Sequence, residues 1–276
     1  AKLNLALHIT GKRNDGYHEL DSLVAFADYG DDIEARFTDS SEITLEISGS
    51  FARSLEGEED NLVLRAAHSL QRDAGVHEGA AITLRKHLPI GAGLGGGSAD
   101  AAATLRALNR LWRLDYDANR LESIASTLGA DVPACIQSRS CRMQGIGEQL
   151  SSWDGGVSGL PLLLIHPGTP LWTADIFRAT QPPYSGALPQ EVLERKGAFP
   201  WEALHNDLQA PAIQQLPDIA AILSLLKTQQ GCATAQMTGS GSACFAIFQA
   251  QEMCEKAAGQ LAAAFPESWV KTARLR

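Results

Sequence analysis

Apolar residues recur at every second position over Leu3 to Ile9, which predicts a β-strand at the start of the chain. The same period marks Ile43 to Ile47, with Ile43, Leu45 and Ile47 on one face, and the stretch around Ile82 to Leu84. Helical spacing appears at Leu62 to Leu70, where Leu62, Ala66 and Leu70 share a face. It returns at Ser98 to Trp112, lined by Ala101, Leu105, Leu108 and Trp112. Between Ser151 and Gly159 the chain turns Gly- and Ser-rich, then enters the buried-strand pattern Leu160 to Ile165. A domain boundary is placed near Gly156, giving domains 1–156 and 157–276. Prolines 182, 183, 189 and 200 leave residues 180–200 aperiodic, a long loop with at most a short helix at Gln190 to Arg195. Beyond it lie a helix over 218–229, a strand at Ala233 to Thr238, a Gly-Ser-Gly-Ser turn, a strand at Ala243 to Phe248 and a helix at Glu252 to Phe265. The sum is an α+β chain in two domains.

Composition narrows the function. Apolar residues at 45% and charged residues at 20% exclude disordered, collagen-like and coiled-coil chains. Lys and Arg total 23 against 32 Asp and Glu, a net charge of −9, the wrong sign for holding a phosphate backbone, so no nucleic-acid partner is expected. The five cysteines are widely spaced without a Cys-x-x-Cys pair, which fits unpaired thiols in a reducing compartment and argues against structural zinc. No apolar run, Leu160 to Ile165 with Pro161 inside it included, approaches the roughly 20 residues a bilayer requires, so no membrane partner is expected. The N-terminal residues lack a signal-peptide pattern, and a cytoplasmic location is expected.

The strongest local chemistry is Pro89-Ile90-Gly91-Ala92-Gly93-Leu94-Gly95-Gly96-Gly97-Ser98-Ala99, with five glycines in seven residues between a predicted strand and a predicted helix. Without Cβ atoms, backbone N–H groups can turn toward an anion and the helix adds its positive end, so phosphate binding is the natural use. A dinucleotide fold would need a second strand soon after the helix, and residues 113–120 are too polar for one. Gly97 stands where a Walker A lysine belongs, and the His-Arg-Asp and Asp-Phe-Gly signatures of protein kinases are missing. A second turn, Gly239-Ser240-Gly241-Ser242, taken alone reads first as a plain hairpin turn.

Three blocks in order, Lys2-Leu3-Asn4-Leu5, Pro-x-Gly-Ala-Gly-Leu-Gly and Gly239-Ser240-Gly241-Ser242, resemble the GHMP kinase superfamily of small-molecule kinases. Gly11 to Leu20, Gly95-Gly96-Gly97-Ser98, Leu128 to Pro133, Gly145-Ile146-Gly147-Glu148 and Asn206-Asp207-Leu208 resemble its branch acting on a cytidine diphosphate-linked methylerythritol. The resemblance spans nearly the whole chain. It implies an N-terminal domain like ribosomal protein S5 domain 2, a ferredoxin-like C-terminal domain, an active site between them, and ATP-dependent phosphorylation of the 2-hydroxyl of the erythritol moiety. Homoserine, mevalonate or a sugar as the alcohol, and a catalytically silent nucleotide-binding paralogue, are the competing readings.

The resemblance also implies roles. Asp131 would accept the hydroxyl proton and Lys2 would stand beside the transferred phosphoryl. Tyr17, His18 and Phe177 would surround the cytosine, with Thr173, Asn4, Gly239 and Ser240 also on the substrate. For ATP, Pro89 to Ala99 would wrap the phosphates, with Lys86 near the nucleotide and Asn61 a weaker candidate that equally reads as a helix cap. Mg²⁺ is expected to arrive with ATP, but no protein ligand is assigned, because Ala99 replaces the family's second serine.

Overall fold

The alternation that opens the chain becomes β1 (Lys2–Lys12), whose first eight residues are all buried. Both faces are covered, so Lys2, Asn4 and His8 lie inside with the leucines. In the computed structural model, which describes residues 1–55, 60–194 and 199–276, a hairpin leads to β2 (His18–Phe26), then β3 (Asp32–Thr38) and β4 (Ile43–Ser48). There follow α1 (Leu62–Ala74), β5 (Gly79–Arg85), α2 (Gly96–Leu111), α3 (Ala118–Ser126), α4 (Val132–Gln137), β6 (Cys141–Gly145) and β7 (Gln149–Ser152). The remainder comprises β8 (Pro161–His166), α5 (Thr173–Ala179), α6 (Gln190–Leu193), α7 (Gln209–Gln215), α8 (Asp218–Lys227), β9 (Cys232–Met237), β10 (Cys244–Phe248), α9 (Gln251–Ala264) and β11 (Trp269–Arg274).

These elements form two compact units that are not consecutive in sequence. One holds Ala1, residues 30–90 and 95–139; the other holds residues 2–29, 91–94 and 140–276. The boundary read near Gly156 is a linear cut and falls inside the second unit, because the pairing of β2 with β6 returns the first strands to the C-terminal part. Local composition carries no trace of such a pairing.

In the first unit β5 is central, antiparallel to β3 and parallel to β4. Asn61 caps α1 by accepting from Val63 N at 2.9 Å, and Gly75 ends it in the left-handed region at φ 63°. Val63, Ala66, Ala67 and Leu70 form the buried stripe of α1, and Ala101, Leu105 and Leu108 that of α2. Residues 113–120 make no strand: Arg113 and Asp115 take φ 53°, and Asp117 caps α3.

The second unit has two four-stranded sheets, in the orders β1-β2-β6-β7 and β11-β8-β10-β9. In the latter all pairs are antiparallel, with α8 preceding β9 and α9 joining β10 to β11, the βαββαβ order of a ferredoxin-like domain. Leu163, Ile165, Ile222, Leu226, Ala246, Phe248 and Leu261 meet in its core. Burying a side chain such as Phe248 contributes about 2–3 kcal/mol. The short helix expected at 190–195 is α6; its last residue, Arg195, lies outside the described residues. The five cysteines form no disulfide among the described residues, where no helix is long and apolar enough to cross a membrane either.

Candidate active site

Lys2 is only 3% exposed. Its ammonium donates to Asn4 Oδ1 at 3.3 Å, Asn4 Nδ2 donates to Ser22 Oγ at 2.8 Å, and Ser22 Oγ donates to Ala6 O at 2.6 Å. The alternation of β1 puts Lys2 and Asn4 on one face, and β2 supplies the hydroxyl across the pair. The Asn4 side-chain amide is aimed at Lys2 and Ser22.

The two glycine turns are built against each other. Gly91, Gly93 and Gly95 all have positive φ (63°, 71° and 60°) and alternate with Ala92 and Leu94, a backbone pattern that turns successive N–H groups to one side. Ala243 N donates to Ala92 O, Leu171 N to Gly91 O and Lys2 N to Leu94 O. A Cβ on Gly93 would lie 2.3 Å from Thr238 O, so this approach demands glycine. The second turn is thus more than a hairpin connection. Asn206 Nδ2 donates to Met237 O and Gly239 O at 2.9 and 2.8 Å and holds that turn, while Thr238 Oγ1 accepts from Asn4 N. Thr173 and Ser240 hydroxyls meet at 2.9 Å.

A third group gathers at the β1–β2 hairpin. Gly16 takes φ 92°, Arg13 pairs with Asp15 at 2.9 Å, and Tyr17 projects at 61% exposure. His18 is buried, with its ring 5.6 Å from that of Phe177 and 6.1 Å, edge-on, from that of Tyr184. Burial, followed by the charge of Lys12, lowers its pKa, and its Nε2 has no hydrogen-bond partner. A neutral imidazole beside aromatic rings suits an uncharged heteroaromatic base. Tyr184 escaped sequence reading because it follows Pro182-Pro183 in an aperiodic stretch. Tyr184 packs against the core of the second unit, and further along the same stretch Asp21 accepts from Leu188 N at 3.0 Å and from Arg142 Nε and Nη2.

In the first unit Asp131 occupies the N-cap position of α4 without capping it through its side chain. Asn61 spends its oxygen on the α1 cap. Lys86 lies buried between Asp31 and Asp100, at 2.6 and 2.8 Å. Gly95 is the N-cap of α2 and offers no side chain to its first N–H groups.

Comparison with known proteins decides the family. Residues 61–139 match the GHMP kinases N terminal domain and residues 197–267 the GHMP kinases C terminal domain. A 4-diphosphocytidyl-2-C-methyl-D-erythritol kinase of Parvibaculum lavamentivorans is 44% identical, over 98% of this chain and 94% of its own. A solved 4-(cytidine 5'-diphospho)-2C-methyl-D-erythritol kinase superposes with a TM-score of 0.82 at 33% identity, over 99% of this chain and 97% of its own. The chain belongs to the 4-diphosphocytidyl-2-C-methyl-D-erythritol kinase family of GHMP kinases. Homoserine kinase from Cytophaga hutchinsonii, at TM-score 0.71 and 16% identity over 99% of this chain and 95% of its own, shares the fold.

As a GHMP kinase the chain takes ATP as co-substrate, and the structure suits it. Left-handed Gly91, Gly93 and Gly95 lead to the start of a 16-residue helix without a side-chain cap, a backbone arrangement with the chemistry to hold phosphate oxygens. Among the described residues no group of three or more His, Cys, Asp or Glu could hold a metal ion by itself.

Proposed function

We propose that this GHMP kinase transfers the γ-phosphoryl group of ATP to the 2-hydroxyl of 4-diphosphocytidyl-2-C-methyl-D-erythritol, within the non-mevalonate route to isoprenoid precursors. The observation that carries the reading is the His18 pocket in a chain that matches a named relative of that activity over nearly its whole length. Tyr17, His18 and Phe177 hold the cytosine, the neutral imidazole offering its Nε2 to the base edge. Thr173, Gly239 and Ser240 flank the substrate, and residues 89–99 wrap the phosphates of ATP, with Lys86 beside them.

The hydroxyl oxygen attacks the γ-phosphorus, the bond from that phosphorus to the bridging oxygen breaks, and ADP leaves. Asp131 takes the hydroxyl proton as the new P–O bond forms. Lys2, kept in place by Asn4 and Ser22, offsets charge on the transferred oxygens. Bound with the nucleotide, Mg²⁺ would supply further charge neutralisation on the phosphates.

ADP release with Mg·ATP should occur on the cytidylated alcohol and not on homoserine, mevalonate or galactose. Asp131→Ala should lower kcat by about a thousandfold or more with little change in ATP affinity. Turnover on one of the other alcohols, or near-normal turnover of the variant, would remove the substrate or the base from this reading.

A further inference from the structure

At the start of α2 lies a charge cluster whose two aspartates have no role in the transfer as described. Lys86 Nζ donates to Asp31 Oδ2 at 2.6 Å and to Asp100 Oδ2 at 2.8 Å, with the three side chains 4%, 1% and 5% exposed. Asp31 Oδ1 also accepts from His87 N and Leu88 N, at 2.5 and 2.8 Å. Asp31 precedes β3 and Lys86 follows β5, and the register Asp32↔Arg85 brings the two together. Asp100 stands just over one turn into α2. The cluster therefore grips the chain immediately before the loop and immediately after it. The cluster also lies against the first residue of α2, since a Cβ on Gly96 would be in ordinary contact with Lys86 Nζ at 3.4 Å and Asp31 Oδ2 at 3.5 Å.

One ammonium faces two carboxylates. Burial, only partly offset by Lys86, pushes Asp100 up to about 7, while the two aspartates outweigh burial at Lys86 and raise its pKa. Such a cluster is a poor device for stability, since well-packed apolar side chains of similar volume commonly do as well or better. What it supplies is geometry.

We propose that Asp31 and Asp100 are positioning residues for the nucleotide, clamping the two stems of the glycine-rich loop through Lys86 so that the first N–H groups of α2 are set before ATP arrives. The proposal deepens the nucleotide-binding reading and rests on it. Glycines at positive φ have more freedom to lose than any other residue, and ordering each residue costs about 1–2 kcal/mol. A clamp moves that cost from binding to folding, which lowers the KM for ATP and leaves kcat alone.

The test compares wild type, Asp100→Ala and Asp100→Asn as full chains, in steady-state kinetics for both substrates and in calorimetric titration with Mg·ADP. Asp100→Ala should raise the ATP KM and the ADP Kd about tenfold, with kcat and the acceptor KM changed less than about threefold. Asp100→Asn, which keeps an oxygen for Lys86, should recover most of the loss. An unchanged ATP KM, an equal rise for both substrates, or an asparagine variant as impaired as the alanine one would overturn the clamp. If Asp100→Ala does not fold, Asp100→Leu fills a similar volume without an oxygen for Lys86, and a normal ADP Kd there would overturn it equally. The ADP titration needs no acceptor alcohol, so it reads the clamp separately from the identity of the substrate.

Discussion

A lysine at the edge of a strand ordinarily runs its stem along the surface and leaves its ammonium in water. Lys2 does the opposite, and the reason lies two residues on: Asn4 can accept from the ammonium only if its amide oxygen faces Lys2, and Ser22 Oγ fixes that orientation by accepting from the amide nitrogen. Ser22 is fully buried, so neither hydroxyl nor amide has water as an alternative. Ser22→Ala should therefore free the Asn4 amide and cost about tenfold in kcat, with the KM for ATP nearly unchanged. An unaltered kcat in a variant with a wild-type melting temperature would separate Lys2 from this chain of donors. Lys2 and Asn4 were legible as motif residues. Ser22 was not, because a serine inside an apolar strand announces nothing until the partner strand is known.

At the scale of elements, density of one residue type was readable and juxtaposition was not. Five glycines between a strand and a helix marked the first loop, whereas the second turn looked like an ordinary hairpin until Gly93 was found against Thr238 O. Gly93→Ala should consequently do more than restrict a loop: an alanine at φ 71° with its Cβ in a carbonyl oxygen should cost about 2–4 kcal/mol. Gly16→Ala is the matched control, at φ 92° with open space around it, and should cost about 1 kcal/mol. Urea midpoints measure both, and equal losses would mean that strain alone matters at Gly93. The same distinction explains the strands. Ile43 to Ile47 and Leu160 to Ile165 were visible by period or by apolar run. His18 to Phe26 was hidden because Asp21 and Ser22, both buried, interrupt its apolar pattern. Tyr184 was hidden because it stands in an aperiodic stretch and its place comes from packing against a distant core, not from any period of its own.

For the molecule as a whole, the discontinuous units follow from which strands pair, and the pH response follows from which titrating groups were buried neutral. His166 closes β8 at 3% exposure; its Nδ1 accepts from Gly168 N and its Nε2 has no partner. Burial lowers its pKa to about 4 from an ordinary 6.5. The folded state thus resists a proton that the unfolded chain accepts, so the contribution is complete above pH 6.5 and is lost as pH falls toward 4. A gap of that size corresponds to about 3 kcal/mol. His8, also buried and lowered, acts in the same direction. Asp100 acts against them, because a carboxyl raised to about 7 stabilises the fold most below pH 3.8 and loses that contribution as pH rises through 7. Two opposing limbs should leave wild-type stability nearly flat between pH 5 and 7, and removing either should tilt it. His166→Asn, whose oxygen can still accept from Gly168 N, should make stability fall with rising pH across that window. Asp100→Asn should make it rise. Urea unfolding of the three proteins at half-unit steps from pH 4.5 to 7.5 reads the slopes directly; parallel curves would show that neither group carries its charge difference into folding.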